Sequence, residues 1–290
     1  MRILVTADIH YDIARSRAAA EEAAEQALAI GGDALVIVGD IAGRNREAFC
    51  EALRLFEKFP GRKWFVPGNH CLWVWPGECS LQRYEHDLPA WAAEEGFECL
   101  DFSPAELGGV GFVGSVGWYD YSLRDESLGL PLAFYEKKIT PAAARYYGEH
   151  TELLDIHAAA LDERHERLGA RWMDGWRVNL GMSDEEFLDR LLASLETQLE
   201  SLAARVDRVV AFVHHLPVDG LVPPGRPGRF AFAMAYMGST RIGELLSKYP
   251  QVTDVYCGHS HWPAERQCGS LRVVNVGSTY VKKQLKIINI

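Results

Sequence analysis

Five short polar clusters each follow an apolar run: Asp8-Ile9-His10, Gly39-Asp40, Gly68-Asn69-His70, His214-His215 and Gly258-His259-Ser260-His261. Carboxylate, imidazole and amide oxygen are ligands for borderline divalent ions such as Mn, Fe, Zn, Co or Ni, and no C-x-x-C pair offers a thiolate site instead. Asp8 and His10 stand two residues apart, as do His259 and His261, and in an extended segment that spacing points both side chains the same way. Asp40 has no such neighbour, which makes it the natural carboxylate to be shared by two ions. Two ions about 3.5–4 Å apart clamp a phosphoryl group and generate hydroxide from water near neutral pH. His70 is then left over as an acid. Of the ten histidines, these six follow strand-like runs, while His86, His150, His157 and His165 fall in helix-like stretches.

The elements that must position these residues are readable from pattern. Ile3 to Thr6, Ala34 to Val38 and Lys63 to Val66 are short apolar runs that read as buried strands. Between them, Ala14 to Ile30 holds good helix formers and stops at Gly31-Gly32, and Asn45 to Phe59 has apolar residues at helical spacing. The first 70 residues therefore alternate strand and helix, with a polar site residue at each strand end. Ligands of α/β proteins bind beyond the carboxyl ends of strands. Leu81 to Glu95 reads as a helix interrupted at Pro89, and Gly109 to Gly114 as a glycine-interrupted strand. From about 118 to 205 the chain turns aromatic and charged, with helices expected over Glu149 to Leu168 and Asp184 to Ala204. Ser183 followed by Glu186 forms a capping-box signal for the second. We read this stretch as a helical insertion or lid within a single domain of 1–290. Arg208 to Val213 and Thr253 to Cys257 are further buried strands that deliver the last two clusters. Between them lie a Pro-rich loop, Leu216 to Arg229, and a short helix from Ser239 or Thr240 to Lys248. Leu271 to Val276 and Tyr280 to Ile288 read as closing strands.

Composition sets the outer limits. The chain has 290 residues, 48% of them hydrophobic, and a formal net charge of -10. A surface of that sign lacks the basic stripe that long nucleic acids demand, so a nucleic-acid partner is disfavoured. Six cysteines without paired spacing, no basic-then-apolar leader and no apolar run of membrane-spanning length lead us to expect a reduced, cytoplasmic protein with no membrane partner.

The five motifs, in this order from residue 8 to 261, resemble those of the calcineurin-like metallophosphoesterases. The resemblance implies an α/β fold: a four-layer α/β/β/α sandwich of two mixed sheets, here with a helical insertion. It implies two divalent or trivalent metal ions, Mn, Fe or Zn. Asp8, His10, Asp40 and His261 would ligate the first ion, and Asp40, Asn69, His214 and His259 the second. A hydroxide between the ions would attack phosphorus, and His70 would protonate the leaving oxygen as general acid. Two points depart from the pattern. The family usually has an acidic residue after Gly-Asn-His to orient the histidine; here it is Cys71, so Asp12 or another carboxylate must take that part. The doublet His214-His215 also leaves the ligand open between the two, with His214 favoured as the first residue past its strand.

The expected activity is hydrolysis of a small phosphomonoester or phosphodiester. The alternatives are a nuclease or cyclic-nucleotide phosphodiesterase, and outside catalysis a scaffold that keeps the fold. Around the centre, Trp118, Tyr119, Asp120 and Arg226 are candidate substrate contacts. Trp73 and Trp75 beyond the acid loop, and Arg229, are weaker ones.

Overall fold

The computed structural model describes residues 1–222 and 228–290. Its eleven strands are β1 (Arg2–Ala7), β2 (Ala34–Val38), β3 (Arg62–Val66), β4 (Glu98–Cys99), β5 (Ala105–Leu107), β6 (Val110–Ser115), β7 (Arg208–Val213), β8 (Val252–Cys257), β9 (Ala264–Cys268), β10 (Leu271–Asn275) and β11 (Lys286–Asn289). They form two mixed sheets. One runs β11-β1-β2-β3-β4, with β1 to β4 parallel and β11 antiparallel to β1. The other runs β5-β6-β7-β8-β10-β9, parallel in its centre and antiparallel at both edges.

The central strands are apolar on both faces because each sheet is covered twice. On β1 and β2, Ile3, Val5, Ala7, Ala34, Val36 and Val38 face an inner core shared with Phe112, Val210, Phe212, Tyr256 and Val274 of the second sheet. Trp64 and Phe112 meet across it, ring centroids 4.9 Å apart. The alternate residues Leu4, Leu35 and Ile37 join the outer core with Ala20, Ala24 and Ala27 of helix Ala14–Ile30 and Phe49 and Leu53 of helix Arg46–Arg54. On the other side Val113, Ala211 and Val213 share that role with Leu195, Leu199 and Leu202 of helix Asp184–Ala203. The order helix, sheet, sheet, helix is the expected sandwich.

Local signals mostly act as read. Ser183 accepts from Glu186 N at 3.1 Å while the Glu186 carboxylate accepts from Ser183 N at 2.8 Å. Ser239 caps helix Thr240–Ser247. Three expectations are corrected. The helix expected over 149–168 is broken into Glu152–Ile156, a turn at Ala158–Ala160 and Glu163–Arg167, because Asp162 caps a fresh start by accepting from Arg164 N. His150 stands in a loop at φ 53°, not in a helix. The closing strand expected from Tyr280 shortens to Lys286–Asn289, because the preceding loop is diverted: Ser278 Oγ accepts from Gln284 N, and Lys283 Nζ donates to the carbonyls of Asp8 and Thr279. Among the described residues no helix is long and apolar enough to cross a membrane.

Candidate metal centre

Strand ends from both sheets converge on one point. Backbone bonds carry the ladders past the last strand residues: Asp8 N donates to Gly39 O, Gly39 N to Val66 O, and Gly258 N to His214 O. Beyond these bonds the chain must turn sharply. Asp8, His10, Asp40, His259 and His261 all have φ between 47° and 68°, the left-handed region. Such a conformation costs a non-glycine residue about 1–3 kcal/mol and gathers at functional sites. Here it swings five side chains out of the sheets toward one another.

Close packing demands glycine beside them. A Cβ on Gly68 would lie 2.1 Å from Asp40 Oδ1 and 2.4 Å from Asp40 N, and one on Gly39 would lie 1.9 Å from His214 Nδ1. Gly68→Ala should therefore push Asp40 aside. Overpacking of this kind costs about 1–3 kcal/mol of stability, and a 1 Å misplacement at a reaction centre costs about 10²-fold in rate. A thermal melt and a turnover assay check this; wild-type values in both would show that Asp40 does not depend on this approach.

Three overlapping groups of ligand atoms result: Asp8, His10 and His261; His10, Asp40 and His70; and Asp40, His214 and His259, each within 4.8 Å. Asp40 Oδ2 lies 3.5 Å from His10 Nε2, and its Oδ1 lies 3.4 Å from His214 Nε2. His261 Nε2 lies 3.5 Å from Asp8 Oδ1 and 3.1 Å from His10 Nε2. Asp40 thus sits between two groups of imidazoles.

Backbone carbonyls set the tautomers. His214 Nδ1 donates to Val38 O at 3.1 Å and leaves Nε2 facing Asp40. His259 Nε2 donates to Tyr236 O at 3.1 Å and leaves Nδ1 facing His214 Nε2 at 3.2 Å. Carbonyl-anchored imidazoles of this kind are the usual metal ligands. His215 Nδ1 bonds Val116 O at 3.0 Å, and no ligand group among the described residues includes this residue. The doublet is thereby divided, with His214 the member that faces Asp40.

The charge balance of the pocket fits cations. Asp8 and Asp40 are buried among histidines. Burial alone would raise the Asp40 pKa, but the neighbouring His214, His70 and His10 hold it well below the ordinary carboxylate range. Burial alone would lower His214, but Asp40 and then Asp8 push it up to about 9. Burial keeps His10 and His259 well below the usual imidazole value and hence neutral. The pocket draws positive charge while holding lone pairs free. Asp8 Oδ2 and Asn69 Oδ1 are buried with no hydrogen-bond partner among the described residues. Buried acceptors are rarely left so, and a metal ion is the natural partner for an orphaned oxygen.

The Asn69 amide is oriented from outside the motifs. Its Nδ2 donates to Asp174 Oδ1 at 3.0 Å and Oδ2 at 3.2 Å. His70 stacks on Trp73, ring centroids 3.6 Å apart and planes at 24°. The His70 backbone N–H donates to Asp40 Oδ1 at 2.9 Å, and its Nδ1 is buried without a partner among the described residues. Cys71 is fully buried, and burial pushes its thiol up to about 12, so it is a filler rather than a nucleophile. Asp12 makes no hydrogen bond to His70 among the described residues; an aromatic face stands where an acidic residue was sought.

The aromatic candidates lie behind the centre. Trp118 and Tyr119 are fully buried; Trp118 Nε1 donates to Asp184 Oδ1 at 2.8 Å and the Tyr119 hydroxyl to Asp174 Oδ2 at 3.1 Å. Asp120 accepts from Ser239 Oγ at 2.7 Å, tying the loop after β6 to a helix start. Arg226 lies outside the described residues. Residues that no motif marked come close instead. Tyr280 packs on His10 and His261 with centroids 4.9 Å from each, and Lys283 Nζ meets the Asp8 carbonyl at 2.5 Å. Burial lowers the Lys283 pKa to about 8. Around the rim, guanidinium groups lie over rings: Arg15 over Tyr280 at 4.3 Å, Arg44 over Trp75 at 3.6 Å and Arg177 over Trp73 at 4.6 Å.

Comparison with known proteins agrees with the fold. Among solved structures, the chain is similar to phosphopantetheinyl hydrolase from Mycobacterium tuberculosis, with a TM-score of 0.65 and 20% identity over 95% of this chain and 89% of that one. It is also similar to a protein from Thermus thermophilus (TM-score 0.54, 13% identity, 99% and 98% covered). A dimetal phosphatase from Danio rerio gives 0.52 at 14% identity, with 97% and 88% covered. At these identities the likeness is one of fold. No curated protein matches in sequence. The family model described as calcineurin-like phosphoesterase matches residues 1–263, a span that holds all five clusters, and the chain is therefore a member of the calcineurin-like phosphoesterase family, a metal-dependent phosphoric ester hydrolase.

Proposed function

We propose that the protein hydrolyses a phosphomonoester or phosphodiester of modest size. Asp8, His10, Asp40 and His261 would hold one ion, and Asp40, Asn69, His214 and His259 the other, with Mn, Fe or Zn as the metals. The observation that carries this reading is Asp40 standing between two imidazole groups, with an unpartnered Asn69 oxygen close by. Two such cations supply Lewis-acid charge for a phosphoryl oxygen and a lowered pKa for water.

The chain's own residues do the rest. His10 and His214, neutral and carbonyl-anchored respectively, keep nitrogens aimed at the centre. His70, grouped with His10 and Asp40, is the proton donor to the leaving oxygen. Arg15, Arg44 and Arg177 offer charge to an approaching anion at the rim, while Trp118, Tyr119 and Asp120 support the walls from behind. A formal net charge of -10 over the whole chain favours a small anion over a long nucleic acid.

The test is hydrolysis of p-nitrophenyl phosphate against bis-p-nitrophenyl phosphate with added manganese. Manganese-dependent turnover of at least one is expected. Preference for the diester makes the protein a phosphodiesterase, and preference for the monoester a phosphatase. No turnover of either by protein shown to hold two ions would count against the reading.

A further inference from the structure

Asp174 lies outside every motif, in the short helix Asp174–Arg177 between β6 and β7, and is 1% exposed. Its two oxygens collect donors from four side chains. Asn69 Nδ2 and Trp73 Nε1 (2.7 Å) reach it from the segment after β3. Trp172 Nε1 (2.7 Å) and the Tyr119 hydroxyl (3.1 Å) reach it from the segment after β6. Resting on the dinuclear reading above, we propose that Asp174 is a positioning residue for the metal centre: it turns the Asn69 amide so that oxygen faces the ion, and through Trp73 it fixes the ring of His70.

An ionised carboxylate only accepts hydrogen bonds. Facing the Asn69 side chain, it selects the NH₂ group and turns Oδ1 away. That oxygen is buried and has no partner among the described residues. Without Asp174 the amide could flip and present N–H to a cation, which repels it. The second arm runs through Trp73. Its indole N–H is held by Asp174, one face lies on His70, and the Arg177 guanidinium lies 4.6 Å from its ring. Trp172 gives a third arm: it stacks on Tyr236 with centroids 5.1 Å apart, and Tyr236 offers the carbonyl that sets the His259 tautomer. The helical segment thus contributes to the centre while supplying none of its ligands.

The experiment is manganese titration of the metal-free full chain, read by calorimetry and by the electron paramagnetic resonance of Mn(II). Outer partners of metal ligands are worth about 10–100-fold in metal affinity. Asp174→Asn, which sets an amide donor among four donors, should weaken one of two Mn(II) sites by about that factor and leave the other near wild type. In an Asn69→Ala background the same change should weaken that site much less, because only the arm through Trp172 and Tyr236 to His259 is left. Two wild-type affinities in Asp174→Asn would overturn the proposal. So would an undiminished loss in the Asn69→Ala background, which would mean that Asp174 acts through the fold at large. Asp174→Ser, which leaves space rather than a misplaced donor, is read the same way. Failure of both variants to fold would also overturn the proposal, by making Asp174 a structural pillar. If wild type itself binds fewer than two Mn(II), the dinuclear reading falls instead, so the two failures are distinguishable.

Discussion

Asp40→Asn should remove manganese-dependent hydrolysis by more than about 10³-fold in kcat/KM, beyond the upper end for loss of one electrostatic stabiliser. The reason lies in what one carboxylate serves. Its Oδ2 faces His10, its Oδ1 faces His214, and Oδ1 also accepts from His70 N. An amide there withdraws the shared negative charge and turns an N–H toward one set of ligands. Both ions should be lost together, so Mn(II) stoichiometry should fall with rate. The fold should survive but lose stability, because ionised Asp40 is paired with His214 in the buried pocket and its loss leaves that imidazole without its counter-charge. The metal-free variant should melt below metal-free wild type. A variant that retained a tenth of the activity would show that Asp40 is not shared.

His70→Asn should lower kcat by about 10²–10⁴-fold on an alkyl phosphate ester, the range for loss of a general acid. The same variant should lose far less on p-nitrophenyl phosphate, whose leaving phenolate is stable without a proton. The contrast separates proton donation from help in binding or positioning metal, which would harm both substrates alike. The stacked face of Trp73 and the backbone bond to Asp40 hold His70 in place of the missing acidic neighbour. Equal losses on the two esters would sink the assignment of His70 as acid.

The core of the fold and the centre were readable because both are local in sequence. Ala34–Val38 is apolar at every position since both faces are covered, and Ala14–Ile30 carries its own stop at Gly31. Asp8, Asp40 and His259 announce themselves by following such strands. The edges were harder. β4, β5 and β9 are short or polar, and Ala264–Cys268 alternates without an apolar face, so pairing with β10 alone makes it a strand. Lys283 and Tyr280 looked like strand residues because nothing local shows that the loop bends back on Asp8. Asp174 was invisible for the same reason: its partners Asn69 and Trp73 lie a hundred residues away. Trp118 and Tyr119 drew attention as candidate substrate contacts, yet two buried carboxylates, Asp184 and Asp174, satisfy their polar atoms and let them sink into the core.

Asp8 meets His261, and β1 receives β11 along its outer edge. On the ribosome Asp8 and β1 emerge long before His261 and β11 do. Domains fold as units once their long-range contacts are available. A nascent chain carrying Asp8, His10 and Asp40 has only part of either ligand group until His259 and His261 emerge, and an edge of β1 stays open until the last strand arrives. Because a site that forms with the fold binds only when the fold is complete, ion loading must wait until His259 and His261 have emerged. Which metal enters is then decided by the free ions around the finished protein, and a chain stalled before His259 can hold neither ion with its full set of ligands.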